Sequence, residues 1–383
     1  MLQVIIPALV ALCCTSWIHP HFLRIAMEKN IVDNPDARKL QRVPVPILGG
    51  LSVVFGMLSG LMAFSMSGDF SPMFPVFAAI IIMMIVGFMD DVVSLTPKVR
   101  FAAQIVLSLY LIYDTGCQLN NFHGLWGLEL IPSAVSVPLT VFSCVGIINA
   151  INLIDGVDGY SSGYGIASSL VFGVMFHMRG NVCMTAFSAV VAASLVPFFL
   201  HNVFGRKTKM FIGDAGTLSL GIVFTAFVVM LLSLPAREGA FTDSSCLVPF
   251  TLSVLCVPVF DTLRVMSARI IRGRSPFSPD KTHLHHLFIE LGFSHIGTAL
   301  SIIGLNLLTV LCWFAAYRCG LSTDVQLYVV IVFGGLITFI MYPFVKGQIR
   351  KDTALYRLLR RMGARTHWQD TRFWATMQRW MDR

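Results

Sequence analysis

Apolar residues recur along this chain in runs of roughly 18 to 25, separated by short polar or basic stretches, and ~20 residues is the length that carries an α-helix across a bilayer. The runs place spanning helices at about 3–22, 47–66, 73–90, 99–115, 133–153, 161–178, 182–202, 212–233, 247–268, 297–317 and 325–345. The pattern predicts an all-α, polytopic integral membrane protein with about eleven transmembrane helices over residues 1–347. A basic amphipathic tail follows over 348–383. The first run has no basic stretch before it and reads as a span, not a cleavable leader.

Composition agrees with that pattern. Of 383 residues 56% are hydrophobic and only 13% charged, with a mean hydropathy of +0.75, whereas soluble domains carry about a quarter charged residues. The net charge of +8 is unevenly spread. With the N-terminus outside and the C-terminus cytoplasmic, only Arg179, Arg237 and Arg318 of the 28 Lys and Arg lie on the outer side, which sets the orientation by the positive-inside rule. The nine cysteines have no metal-site spacing, and nothing in the pattern points to nucleic acid.

Against this background the polar interruptions stand out. The third span ends in Asp90-Asp91, and the fifth ends in Asn149-Ala150-Ile151-Asn152-Leu153-Ile154-Asp155-Gly156-Val157-Asp158-Gly159. Carboxylates at a helix C-terminus face the negative pole of the dipole, and ionisable groups beside a span are costly unless something binds them. Two such ends suggest a shared cation. Adjacent helical residues diverge by about 100°, so Asp90 and Asp91 are expected to serve different purposes. Asn149, Asn152 and Asp155 fall three apart on one helical face. Hard oxygen donors of this kind suit magnesium, which takes one or two carboxylates and completes its shell with substrate phosphates. Lys98, Arg100 and Gln104 open the fourth span; positive-inside bias explains Arg100 more readily than Lys98, and phosphate would favour cations there.

Further along, Gly213-Asp214-Ala215-Gly216 opens the eighth span, where a carboxylate is favourable even as a simple cap; counted with Asp90, Asp91 and Asp155 on one membrane face, Asp214 joins the candidate site. Asp261, Arg264 and Arg269 near the end of the ninth span either pair with one another or serve the site. His283, His285 and His286 follow in a loop suited to phosphate or sugar contact. The tail mixes basic residues with Trp368, Phe373, Trp374 and Trp380, which suits a helix on anionic membrane lipids or a homodimer contact. A transporter would also carry intramembrane charge, but here the charges sit at inner helix ends and no inverted repeat is visible.

Taken together, these motifs resemble the polyprenyl-phosphate N-acetylhexosamine-1-phosphate transferases over nearly the whole chain. Asp90-Asp91 with Lys98 is similar to the family's aspartate pair. Asn149 to Gly159 resembles its Asn-x-x-Asn-x-x-Asp-Gly-x-Asp-Gly-Leu motif, with Tyr160 where Leu is usual. Phe211 to Gly216 resembles Phe-Met-Gly-Asp-x-Gly, with Ile212 for Met, and His283-Leu284-His285-His286 resembles its histidine loop. The loop Ser275 to Asp280 before those histidines is most similar to the branch that moves N-acetylglucosamine-1-phosphate from UDP-GlcNAc to undecaprenyl phosphate. The muramoyl-pentapeptide branch usually shows Pro-Ile-His-His-His instead. The resemblance implies a multi-pass enzyme of the bacterial inner membrane, with its site on the cytoplasmic face, in the first membrane step of O-antigen or related envelope polysaccharide synthesis. It implies Mg2+, with Mn2+ as a substitute, held by Asp214 with Asn152 or Asp155. Asp90 and Asp91 would position or deprotonate the lipid phosphate and Lys98 would hold phosphate. Asn202, Phe211, Gly156 and Asp158 would cradle uracil. His283, His285, His286 and Arg38 or Lys39 would contact diphosphate or sugar.

Overall fold

The computed structural model describes residues 1–34, 43–66, 68–234, 246–276 and 282–382. Helices occupy all eleven segments expected to span: α1 (Leu2–Glu28), α2 (Gly49–Ser65), α3 (Phe74–Val93), α4 (Pro97–Thr115), α5 (Ser133–Asn152), α6 (Tyr160–Met178), α7 (Val182–Phe204), α8 (Gly213–Leu232), α9 (Leu247–Ile271), and, after the short α10 (Leu284–Glu290), α11 (His295–Arg318) and α12 (Thr323–Gly335). The last continues through a π-turn, Leu336–Ile340, into α13 (Met341–Arg350). Eight of the described helical segments are long and apolar enough to cross a membrane. The other three are α2, with 17 residues, α4, which carries Lys98, Arg100 and Asp114, and the Ser- and Gly-rich α6. The first helix runs six residues beyond its expected end because Arg24 and Glu28 extend it into the polar zone.

The bundle is organised around α8, which is buried along nearly its whole length. Its neighbours α3, α5 and α2 reach it without large side chains between the backbones, the small-residue packing that membrane helices favour. A Cβ on Gly87 of α3 would lie 2.4 Å from the carbonyl oxygen of Asp214, so the end of α3 is pinned to the start of α8. Rings of Phe172, Phe187, Phe224, Phe227 and Phe250 fill the space between α6, α7, α8 and α9, with Phe187 and Phe227 centroids 5.2 Å apart.

One interruption needs its own satisfaction. Pro258 inside α9 cannot donate to the carbonyl four residues earlier, and a bare carbonyl in hydrocarbon is costly. The Val254 carbonyl instead accepts from the Tyr164 hydroxyl at 2.8 Å and from Asn306 Nδ2 at 2.9 Å. Asn306 Oδ1 accepts the Val257 N–H at 3.0 Å. This polar knot joins α6, α9 and α11.

A two-residue ribbon, β1 (Val32–Asp33) against β2 (Val45–Pro46), departs from the all-helical expectation. The chain after it is sewn to the segment entering α8. Phe211 N–H donates to the Pro46 carbonyl at 2.8 Å, Gly49 N–H to Phe211 at 3.0 Å and Gly50 N–H to Ile212 at 2.9 Å. The tail folds into two amphipathic helices, α14 (Ala354–Ala364) and α15 (Arg372–Met381), each N-capped by a threonine, Thr353 and Thr371.

Candidate active site

A cavity of about 540 Å³ opens at the end of the bundle where α3 and α5 finish and α8 begins. Residues from separate stretches line it: Asp90, Asp91 and Ser94; Asn152 and Asp155 to Asp158; Asn202, Lys209, Phe211, Gly213 and Asp214; and His285, His286 and His295. Asp33 of the ribbon also faces it.

The carboxylates that looked misplaced on α3 have partners on other helices. Asp91 lies at the N-terminus of α8 and accepts the Asp214 N–H at 2.9 Å and the Ala215 N–H at 3.0 Å, one with each oxygen. It is an N-cap supplied from another helix, at the positive pole of that helix. Gly213 permits this approach: its φ is +65°, and a Cβ there would lie 2.6 Å from Asp91 Oδ2. Asp90, 8% exposed, accepts the Leu95 N–H and an Arg100 Nη1 bond, both at 2.7 Å. The same Arg100 nitrogen lies 3.3 Å from Asp214 Oδ2, and Asn152 Nδ2 donates to Asp214 Oδ1 at 2.7 Å. Arg100 is the bridging cation. Lys98 is exposed on the first turn of α4 and makes none of the ion pairs seen among the described residues. Replacing Asp91 by Ala should cost about 1–2 kcal/mol of stability, the usual value of a lost cap, together with activity. Asp91→Asn, which keeps one acceptor, should lose less, as read by thermal unfolding in detergent.

The face expected for Asn149, Asn152 and Asp155 does not form, because α5 ends at Asn152. Asp155 sits in the following turn, where it takes the Ser161 hydroxyl at 2.7 Å. Asn149 turns away from the cavity and donates to Gln104 Oε1 at 2.7 Å. Asn202 ties two walls together, accepting the Gly159 N–H at 2.7 Å and donating to the Met210 carbonyl at 2.9 Å.

On the far wall, Asp158 Oδ2 receives Lys209 Nζ at 2.7 Å and His295 Nδ1 at 2.6 Å. Burial acts upward on this carboxyl, but the His295 bond and the Lys209 charge outweigh it and hold it below the usual carboxylate range. Lys209 also lies 5.7 Å from the centre of the Phe211 ring. Neither Lys209 nor His295 stands out in the sequence: Lys209 lies in a loop already rich in basic residues, and His295 is a lone histidine at the start of an apolar helix.

The histidine loop divides. His283 does not line the cavity: its Nδ1 meets Asp261 Oδ2 at 2.9 Å. Arg264 is also withdrawn, donating to Asp261 Oδ1 at 2.6 Å and stacking its guanidinium 3.8 Å above the Tyr342 ring. These two side chains fix the entrance to α10, and that entrance aims His285 and His286 into the cavity. The His285 ring packs against Gly156. Burial, with His286 and His283 beside it, drives the His285 imidazole well below its ordinary pKa, so it offers hydrogen bonds, not charge. Arg38 and Lys39 lie outside the described residues.

Residues 73–232 match the family model described as glycosyl transferase family 4, a stretch that contains every acidic residue of the cavity except Asp33. Over 329 residues the chain is 31% identical to a protein of Bacillus subtilis (strain 168) named probable undecaprenyl-phosphate N-acetylglucosaminyl 1-phosphate transferase, covering 83% of this chain and 88% of that one. Proteins of Yersinia pestis and Escherichia coli (strain K12), both named undecaprenyl-phosphate alpha-N-acetylglucosaminyl 1-phosphate transferase, are 29% and 28% identical over 276 residues. The matches cover 71% of this chain and 73% and 72% of theirs.

Proposed function

This chain belongs to the glycosyl transferase family 4 phospho-sugar transferases, and from that membership we propose that it moves N-acetylglucosamine-1-phosphate from UDP-GlcNAc to undecaprenyl phosphate, releasing UMP. The observation that carries this reading is the cavity at the end of the bundle, walled by carboxylates on one side and by Lys209, Phe211, His285 and His295 on the other. The names of the relatives supply the acceptor and the sugar. In this reading the enzyme sits in the bacterial inner membrane with α2, α4 and α6 among eleven crossings, and the positive-inside asymmetry supports a cavity on the cytoplasmic face.

The reaction is a phosphoryl transfer, in which the protein mainly positions groups and neutralises charge. An oxygen of the lipid phosphate attacks the β-phosphorus of the donor, and the bond to the bridging oxygen breaks as UMP leaves. A phosphate monoester has a second pKa of about 6 and is mostly dianionic at neutral pH, so the attack needs no obligatory base. Asp91 is occupied with α8 and Asp90 with Arg100 and Leu95, which supports direct attack over a covalent aspartyl intermediate. The loop wall of Phe211, Asn202 and Asp158 takes the uridine, and His285 and His286 meet the diphosphate or the sugar.

The donor set fits magnesium. Asp214, Asp155 and Asn152 line the cavity and would offer hard oxygen donors, and among the described residues no group of three or more His, Cys, Asp and Glu is placed to hold a metal ion. A cation that takes one or two protein carboxylates and completes its shell from phosphate suits that arrangement. When bound, it would neutralise the diphosphate and the leaving phosphate.

The test is UMP release by the purified protein with magnesium, undecaprenyl phosphate and, in separate reactions, UDP-GlcNAc, UDP-GalNAc or UDP-MurNAc-pentapeptide. Release with UDP-GlcNAc alone, abolished by EDTA, is the expected result. Release with another donor only would move the sugar assignment, and release unaffected by EDTA would remove the metal.

A further inference from the structure

The tail is basic and aromatic, and its sequence suits a membrane surface or a second copy of the chain. Its folded position adds something else. At the end of α7, Phe204 packs at a tilt of 55° against Trp374 of α15, with a centroid distance of 4.6 Å, and meets Phe373 edge-on at 6.1 Å. This docks α15 beneath the loop that leads to α8. Asp382, just beyond α15, then aims one oxygen at three successive backbone amides of that loop. Its Oδ1 accepts from Arg206 and Lys207 at 2.9 Å each and from Thr208 at 3.4 Å, with the Thr208 hydroxyl at 3.3 Å. Successive amides converging on one carboxylate form an anion nest. From the other side the loop is held by His19, which meets the Thr208 carbonyl at 3.1 Å, and by His201, which meets its hydroxyl at 3.0 Å. The next residue is Lys209, whose ammonium reaches Asp158 on the cavity wall.

A second contact repeats the arrangement. Thr366, between α14 and α15, accepts the Ser294 N–H with its hydroxyl at 2.9 Å, and its carbonyl accepts the Ser294 hydroxyl at 2.6 Å. The next residue is His295, whose ring meets the same oxygen of Asp158. The tail therefore grips the residues adjoining both side chains, Lys209 and His295, that converge on Asp158. Loops carry functional groups only as accurately as their anchors hold them.

We propose that the C-terminal tail is a two-point clasp that positions Lys209 and His295, and through them Asp158 and Phe211, for the nucleotide end of the donor. Asp382 and Thr366 are positioning residues in this reading, which rests on the assignment of that wall to uridine. They touch no substrate, and the clasp lies away from the carboxylates around Asp214, so its loss weakens donor binding and leaves the transfer step alone.

The test compares wild type with Asp382→Ala and Asp382→Asn in the full-length detergent-solubilised protein. All four bonds end on Oδ1, which an asparagine retains. Loss of several charge-assisted bonds should raise the KM for UDP-GlcNAc roughly tenfold in Asp382→Ala, with kcat and the KM for undecaprenyl phosphate within about twofold of wild type. Asp382→Asn should restore most of the donor KM. Amide hydrogen exchange across 205–212 should quicken in Asp382→Ala and slow again in Asp382→Asn. Unchanged exchange would overturn the clasp. Faster exchange with an unchanged donor KM, or a fall in kcat with both KM values unchanged, would overturn the positioning role. If wild type transfers no sugar phosphate from any donor while exchange responds as expected, the clasp stands and the transferase assignment fails.

Discussion

Asp214→Asn should lower UMP release by roughly 10³-fold while the protein unfolds at nearly the wild-type temperature. Both halves of that expectation follow from where the side chain sits. Asp214 occupies the first turn of α8, and its backbone N–H is already capped by Asp91, so the helix does not depend on its carboxylate for a start. The favourable charge–dipole term lost in the variant is only about 0.3–1 kcal/mol. The carboxylate itself lies between Arg100 at 3.3 Å and Asn152 at 2.7 Å, on the same wall as Asp155. An amide of the same shape keeps the packing and removes the charge that a divalent cation would meet. Near-wild-type turnover in Asp214→Asn would take this residue out of the metal site. A large loss of both turnover and thermal stability would make its role structural.

The general position of the site was legible because membrane burial makes charge expensive. Acids at the ends of α3 and α5 had no inexpensive explanation alone, and the fold brings them to one cavity with Asp214, which a simple cap would have explained, at the start of α8. What the sequence could not reveal was which partner each acid takes. The negative poles of α3 and α5 suggested one shared cation; in the fold, Asp91 is met by the amides of α8 and Asp90 by Arg100, because Gly87 brings α3 against the antiparallel start of α8. The spacing of Asn149, Asn152 and Asp155 promised a common face only for as long as the helix lasted, and it ends at Asn152. Arg264 and His283 lie near the right loop but are spent on Asp261. Lys209 was hidden in a basic loop, where inner-face charge bias accounts for any lysine, and His295 is a lone histidine opening an apolar helix, with no motif around it. Only tertiary contact with Asp158 separates them from their neighbours.

Arg100 is where that gap matters most. Positive-inside bias explains an arginine at the start of α4 so well that Lys98 looks the better phosphate ligand. In the fold Arg100 bridges Asp90 and Asp214, helices α3 and α8, through one guanidinium nitrogen. Arg100→Ala leaves Asp90, which is almost wholly buried, without a cation and next to a second carboxylate. Breaking such a pair is destabilising, and with Arg100 partly exposed the expected cost is about 2 kcal/mol. Because Asp214 is held from one side only by Asn152 once Arg100 is gone, kcat should fall by roughly 10²-fold or more, the scale of losing one preorganised charged partner. Arg100→Lys, a shorter point charge still able to lie between the two carboxylates, should recover part of both losses. Lys98→Ala removes no contact to either acid, so its expected signature is different: a higher KM for a phosphate-bearing substrate, with kcat and stability little changed. Steady-state kinetics and unfolding of the three variants separate the two cations. If Lys98→Ala lowered kcat as deeply as Arg100→Ala, the phosphate-binding cation would also be needed in the transition state, and the bridge at Arg100 would be a structural clamp.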